Sequence, residues 1–534
     1  MAHYPEILDD LHLRPNDEPL PNSLEREATL RSPVTRLPPE ILAYIFELCQ
    51  VGEDMCTPVF VPAQGLFCFA QICRVWRAVA ESNPRLWTSI HFYFSDALQN
   101  RKEDVSRVKP VFDLHLKRSG ALPISLTFTD HRLYDAATED LIALMVDRLR
   151  AHSRRWVHVS LHLSCGYFPL LFTFMPCDLS SLEQLHISGD MLGQRIVTTL
   201  HLNLESAKNL KSFSYSGPGH SLDDKIDLPW EQLEDVAFEF SPHNGMSSTL
   251  SRQFGRLAQC QNITTCSLGI DRPFWLDLHG DQTITLPCLR TLRARRLSLQ
   301  SHARTVIDTL ILPQLQMLEI DAAIIVGWDG WNLPWHHRNF SNLLARSGCT
   351  LRRLSIQDVY FPNDELVRCL ALSPTLTSLR FIPCPRSQDM VDVIRRLDVS
   401  HAAVGHERKH VWGGPLVPGL REITLASSVE TCLDCMLAMC RSRVGARALA
   451  AKVATLRHVE AVFFDVLHGT DVARVGVSGG RLGKVAGLRK ELARWVSENE
   501  NERKNGCVSG EEEERLEASV VIESPYGVDY IDLV

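Results

Sequence analysis

No run in this 534-residue chain comes near the eighteen or so consecutive apolar residues that a membrane-crossing helix requires, so no membrane association is expected. Nor is there a surplus of positive charge. Fifty-six lysines and arginines stand against 64 aspartates and glutamates, for a formal net charge of −8, so no global basic field recruits nucleic acid. The opening MAHYPEILDDLHLRPNDEPLPN is acidic and proline-punctuated, without the basic-then-apolar order of a secretory signal. The 16 cysteines are scattered through apolar patterns rather than set in a framework. They read as reduced thiols of a cytoplasmic or nuclear protein. On that reading the Asn-x-Ser/Thr matches at Asn262 and Asn339 carry no glycosylation meaning.

Chemistry is scarce as well. The chain has no G-x-S-x-G, no H-E-x-x-H and no convincing context for a catalytic cysteine. GVSGGRLGKVAG has the glycines of a phosphate loop, but Val485 follows Lys484 where Ser or Thr is needed, and it reads as a linker. Cys432, Cys435 and Cys440 give C-x2-C-x4-C, with His458 and His468 downstream. Zinc wants four ligands, and this single pair lies in VETCLDCMLAMC, where helical spacing puts it on the face of Met436 and Met439. Core packing is the better reading. His336-His337 sits in a loop beside Trp328, Trp331 and Trp335, either a binding surface or a loop folded onto the body. His406 and His410 fall in HERKH, a solvated turn. No catalytic residue, metal or cofactor is expected.

What the chain does have is concentrated between Arg36 and Ile90. Pro38 and Pro39 precede an apolar run, and proline suits a first helical turn because its missing N–H would be unpaired there. Glu40 sits where the helix dipole favours negative charge. Ile41, Leu42, Ile45, Phe46 and Cys49 recur at steps of three and four and form one helical stripe. A second stripe runs Phe69, Ile72, Cys73, Trp76, Val79 and Ala80 over what reads as one or two further short helices, and Asn83-Pro84 ends it. Leu86 and Trp87 follow as a large apolar anchor. Helices this short bury too little surface to be comfortable alone, so a bound partner would help. By periodicity alone, both stripes could equally be the core of an ordinary helical hairpin.

The residue-by-residue pattern says more. Leu37, Pro38, Glu40, Ile41, Leu42, Ile45 and Phe46 meet L-P-x-E-I-L-x-x-I-F, and Cys73, Trp76, Arg77, Ala80, Leu86 and Trp87 meet C-x-x-W-R-x-x-A followed by L-W. The stretch resembles the F-box, the helical module that clamps the Skp-type adaptor of cullin–RING ubiquitin ligases. The span from Val51 to Leu66 is longer than usual between the first two helices, and is similar to F-box-like variants common in fungal proteins. The resemblance implies an adaptor-binding set of Leu37, Pro38, Glu40, Ile41, Leu42, Ile45, Phe46, Cys73, Trp76, Arg77, Leu86 and Trp87. Within it the stripe Leu37, Ile41, Ile45 and the Trp76/Trp87 end would dock on the adaptor.

Around this module the expected organisation is a flexible leader at 1–31, the F-box-like module at 32–94 and a connector at 95–155. The connector carries a helix about Val111–Leu116, a turn at Ser119-Gly120, a strand at Pro123–Phe128 and a helix from Asp140 to about His152. Then, at 156–430, the form apolar-x-x-apolar-x-apolar recurs, beginning at Trp156, Leu182, Leu210, Leu233, Ile263, Leu289, Leu315, Leu351, Leu376 and Leu420. The nine intervals run from 23 to 44 residues and average about 29, the long end of the leucine-rich repeat class. Each unit would supply one strand with alternate residues inward and a return of about 20 residues, and stacking would make the core. The asparagine usual after the strand is mostly missing, so an irregular solenoid, a horseshoe, is expected; a mixed α/β domain with coincidental matches is the alternative. Cap helices and a glycine-rich linker fill 431–497, with a strand at Leu456–Val466. An acidic tail occupies 498–534, its end from Val520 β-like in character.

Residues between the inward positions would face a concave surface. Asp235, Glu239, Arg293, Arg295, Glu319, Arg353 and Arg380 are the substrate-binding candidates there. Charge blocks of alternating sign suit a protein partner better than nucleic acid, or are plain solvation of that face. The expected fold is therefore α/β: an N-terminal helical F-box-like module, then an irregular leucine-rich repeat solenoid. The resemblance implies a non-catalytic substrate receptor that joins the cullin–RING ligase through the Skp-type adaptor. HECT- or RING-type chemistry of its own has no cysteine/histidine framework. A leucine-rich scaffold acting without ubiquitin transfer stays open, and the substrate is unread.

Overall fold

The computed structural model describes residues 37–50, 66–94, 101–130, 143, 147–163, 178–189, 200–218, 222–241, 255–270, 283–295, 309–321, 337–359, 363–383, 391–398, 416–428, 435, 438–440, 442–443, 458–464, 517–524 and 527–533. The chain divides into two compact units, Met1–Thr127 and Phe128–Val534.

The first unit holds α1 (Pro39–Gln50), α2 (Leu66–Ile72), α3 (Arg74–Ser82), a 3-10 turn at Pro84–Trp87, β1 (Ser89–Phe94), α4 (Arg101–Arg118) and the start of β2 (Ile124–Asp130). The carbonyl of Pro38 accepts the N–H groups of Ile41 (3.0 Å) and Leu42 (3.1 Å), so α1 begins where the proline pair placed it. The second stripe is divided between two helices, α2 and α3. Cys73 takes extended backbone (φ −159°, ψ 170°), and its carbonyl accepts from Arg77 N at 3.0 Å. No proline or glycine marks this break, so periodicity alone does not place it. Asn83 then accepts from Arg85 N at 3.2 Å and opens the 3-10 turn. The core gathers Leu42, Phe46, Val79, Ala80, Leu86, Trp87 and Val111, with Leu37, Phe69, Trp76 and Leu114 packed against it. Val111 and Leu114 come from α4, inside the stretch expected to be a connector. That stretch also supplies Phe112, 5.3 Å from Phe92 between ring centroids.

In the second unit come β3 (Trp156–His162), β4 (Gln184–Ser188), β5 (Leu200–Asn203), β6 (Ser212–Pro218), β7 (Leu222–Asp227) and β8 (Asp235–Ser241). They are followed by β9 (Thr265–Ile270), β10 (Ile284–Thr285), β11 (Thr291–Arg295), β12 (Leu310–Ile311) and β13 (Met317–Asp321). After these, helices alternate with strands: α5 (His337–Ser347), β14 (Arg353–Val359), α6 (Asn363–Ala371), β15 (Ser378–Pro383), α7 (Val391–Leu397) and β16 (Glu422–Ser428). The chain closes with β17 (His458–Phe464), β18 (Glu517–Ser524) and β19 (Gly527–Leu533). From β3 onward the main-sheet strands lie side by side in chain order, and each neighbouring pair is parallel except the final β18–β19 hairpin. Two minor parallel pairs, β5–β7 and β10–β12, occupy returns between main strands. The architecture is thus a helical region followed by a mostly parallel sheet with helices, an α/β chain. The end of the acidic tail supplies β18 and β19.

All ten copies of the repeated pattern fall on a strand of this sheet. Leu185, Phe213, Val236, Cys266, Leu292, Leu318, Leu354, Leu379 and Ile423 stand in mutual register and are all buried. In the nine copies after the first, the leading apolar residue is buried just before the strand, as at Leu210, Leu289, Leu315 and Leu376. A staircase of backbone bonds fixes the register. The N–H of Lys211 reaches Glu183 O at 2.8 Å, and the same step recurs from Glu234, Thr264, Arg290, Gln316, Arg352, Thr377 and Arg421 to the equivalent carbonyl one strand back.

The missing asparagine has a substitute. At the position just before three of the copies, Asn209 donates to Ser180 O (2.7 Å), Gln232 to Ala207 O (2.8 Å) and Leu210 O (3.0 Å), and Asn262 to Glu231 O (2.8 Å). Thr375 does the same for Leu351 O at 2.8 Å. The polar side chain that satisfies the turn carbonyls therefore precedes the strand instead of following it. Gly419 occupies this position before β16, where an added Cβ would lie 3.2 Å from Leu376 O. Further on, Arg443 is fully buried and donates to Leu397 O (2.7 Å), Leu416 O (2.6 Å) and Val417 O (3.0 Å). Val417 is β-branched yet sits at φ 50°, a costly left-handed conformation that this arginine helps to hold.

Candidate functional site

Helix α1 presents two different apolar faces. Leu42 and Phe46 point into the core, at 1% and 0% exposure. Ile41 (47%), Tyr44 (59%), Ile45 (37%) and Leu48 (55%) stay in solvent, at the steps of three and four that align residues along one side of a helix. Ile72 (58%) on α2 and Val75 (44%) on α3 are exposed too. These six are all but one of the exposed large hydrophobic residues among the described residues; the other is Leu372. Single exposed apolar side chains need no explanation, whereas their concentration in three successive helices marks an interaction surface.

A rigid base carries that surface. Trp87 is 1% exposed, donates from Nε1 to Ala80 O at 2.8 Å, and lies under the Arg118 guanidinium at 4.4 Å from the ring centroid. Arg118 in turn pairs with Glu81 at 3.2 Å. The His115 ring meets Trp87 edge-on, and burial drops its pKa to about 4, so the imidazole is neutral at physiological pH. Phe46 stacks on Phe69 at 4.3 Å and tilts against Trp76 at 5.0 Å. Asn83 donates to Glu47 at 2.9 Å and ties the 3-10 turn back to α1.

The twelve expected adaptor-binding residues therefore separate. Pro38, Glu40, Ile41, Ile45 and Arg77 are exposed, and Leu37, Cys73 and Trp76 are half-buried. Leu42, Phe46, Leu86 and Trp87 are core and present no surface to a partner. The expectation that Trp87 docks is corrected: it is the keystone beneath the surface. Arg77 donates from Nε to Ala70 O at 2.8 Å, which joins α3 to α2 across the Cys73 break. Tyr44, Leu48, Ile72 and Val75 are exposed as well and lie outside the expected set, which followed the family pattern, where none of the four holds a specified place.

On the sheet, the strand register sets the residues between inward positions in aligned rows. The charged candidates, however, largely engage one another. Arg293 donates to Glu319 at 2.8 Å from the neighbouring strand, and Arg295 reaches Glu239 at 3.5 Å across β9. Gly269 makes room for that reach; a Cβ there would meet Glu239 Cγ at 3.0 Å. Asp235 accepts from Ser212 at 3.3 Å, and burial raises its pKa. His186 lies nearby in the same rows, its pKa lowered by burial against the opposing pull of Glu239. Arg380 is half-buried on β15 and Arg353 is exposed on β14.

No group of three or more His, Cys, Asp or Glu is arranged to hold a metal among the described residues. Cys440 is buried, its thiol pushed up to about 12 by desolvation, which opposes the thiolate a zinc site needs. Cys432, His336, His406, His410, His468, the insert at 51–65 and the tryptophans at 328–335 lie outside the described residues.

Residues 34–93 match the family model described as F-box-like, a span that takes in α1, α2, α3 and the 3-10 turn. The match covers the surface of Ile41, Tyr44, Ile45, Leu48, Ile72 and Val75 together with the core beneath it. No curated protein matches the chain.

Proposed function

We propose that the F-box-like domain docks this protein on a Skp-type adaptor and so makes it the substrate receptor of a cullin–RING ubiquitin ligase. The observation that carries this reading is the solvent-facing row Ile41, Tyr44, Ile45 and Leu48 on α1, set on a core that does not need them. Fully burying an exposed apolar side chain is worth about 1.5–3 kcal/mol, so with about half of each still open to solvent a partner covering the row recovers on the order of 3–6 kcal/mol. The receptor makes and breaks no bond itself. It holds a protein substrate on its second unit, and the tether raises the effective concentration of substrate lysines near a charged conjugating enzyme.

In this reading the second unit is an irregular leucine-rich solenoid. The in-register parallel strands, the buried leading apolar residue of each copy and the amides at Asn209, Gln232 and Asn262 support that assignment. The free cysteines, many of them buried, suit the cytoplasm or nucleus. The test is affinity purification of the tagged full chain followed by detection of adaptor and cullin. Recovery of both from the parent, and loss of both on Ile41→Glu with Tyr44→Glu, is the expected result. Partners recovered without cullin would instead mark a leucine-rich scaffold.

A further inference from the structure

The backbone staircase puts one residue of each copy at the same edge of the sheet, immediately before its strand. Along β4, β6, β8 and β9 this edge row reads Glu183, Lys211, Glu234 and Thr264; along β11, β13, β14, β15 and β16 it reads Arg290, Gln316, Arg352, Thr377 and Arg421. The sign changes midway. Arg290, Arg352 and Arg421 are all exposed, and the exposed Arg353 lies beside Arg352 as the first residue of β14. None of these four pairs with a described carboxylate, in contrast to Arg293 and Arg295 deeper on the sheet. At the acidic end Lys211 is matched by Glu234 at 3.6 Å, which leaves Glu183 as that end's excess charge.

Neighbouring strands are about 4.8 Å apart, so the three edge arginines recur at intervals of about 10 Å over about 20 Å. An extended peptide covers that distance with about six residues. We infer that this arginine edge is a recognition surface for an acidic segment of a protein, about six residues long. It rests on the reading of the second unit as the substrate-holding part and names the chemistry of what is held. Arginine suits carboxylate because its planar fork donates two parallel bonds, and an exposed, unpaired guanidinium has both still to give. A long polynucleotide fits less well. Beyond β11 it runs onto an end whose one unmatched charge is Glu183, on a chain of net charge −8, where a uniform polyanion is repelled. A peptide whose acidic block is followed by lysines matches both ends.

The experiment uses the full chain and a fluorescent synthetic peptide of six glutamates followed by a neutral spacer and two lysines, read by anisotropy. The parent should bind it, and Arg290→Glu with Arg352→Glu and Arg421→Glu should weaken it about tenfold or more. Binding should fall steeply between about 50 mM and 500 mM salt. Thermal unfolding of the triple variant should be unchanged, and its adaptor recovery should equal the parent's, which separates this inference from the docking proposal. Three results overturn it: no binding by the parent, equal binding by the triple variant, or tighter binding of a single-stranded RNA of matched length.

Discussion

Two substitutions within fifty residues separate the surface of the F-box-like domain from its foundation. Trp87→Ala removes a 1%-exposed indole together with its bond to Ala80 O, the Arg118 contact and the His115 edge. Truncating a buried tryptophan costs about 3–5 kcal/mol, a large share of what holds a domain of this size folded. Ile41→Glu changes a side chain already 47% exposed, so its effect on folding should stay within about 0.5 kcal/mol. On the adaptor the order reverses. The glutamate forfeits about 0.7–1.5 kcal/mol, the burial still open to a side chain 47% exposed, and adds the larger penalty of an unpaired carboxylate at an apolar contact. Together these exceed about 3 kcal/mol, a loss of more than about a hundredfold in affinity. Urea denaturation monitored by circular dichroism reads the first quantity, and titration with purified adaptor reads the second. The reasoning fails if Ile41→Glu unfolds the chain as Trp87→Ala does, or if its adaptor affinity stays within threefold of the parent.

Burial holds the folded pKa of His115 near 4, below its ordinary 6.5, so its neutral form stabilises the fold above pH 6.5 and that contribution is lost as pH falls toward 4. The loss is about 3 kcal/mol, and His115→Gln should flatten this part of a stability–pH profile measured by urea midpoints; an unchanged slope rejects the assignment. Arg443→Met should destabilise the second unit by about 3–5 kcal/mol, because the carbonyls of Leu397, Leu416 and Val417 lose their buried donor. A melting temperature equal to the parent's contradicts it. Gln232→Ala strands the carbonyl of Leu210 and leaves that of Ala207 with only the N–H of Leu210, and should cost about 1–3 kcal/mol, against nothing measurable for Gln261→Ala, whose bond to Ala258 is exposed. Equal midpoints for the two variants would contradict the role given to the amide.

Much of this molecule was legible in its residues. The spacing of Leu182, Leu185 and Ile187, repeated down the chain, fixes a strand that buries alternate residues, because a pleated backbone has only two faces and one of them must leave water. The prolines before Ile41 and the match from Leu37 to Trp87 determined which module opens the chain. Other features depend on contacts distant in sequence. Spacing places Ile41 and Leu42 on one stripe, but only the packing of Phe69, Trp76 and Leu86 around α1 decides that Leu42 is core and Ile41 is surface. Nothing local breaks the helix at Cys73. The pairing of Arg295 with Glu239, 56 positions apart, follows from strand register across Gly269, and so does the edge that lines up Arg290, Arg352 and Arg421. The sequence by itself determined the repeating strands and the module's kinship. Tertiary structure decided which apolar and charged side chains were consumed by the fold and which were left for a partner, since that depends on what each one meets across the chain.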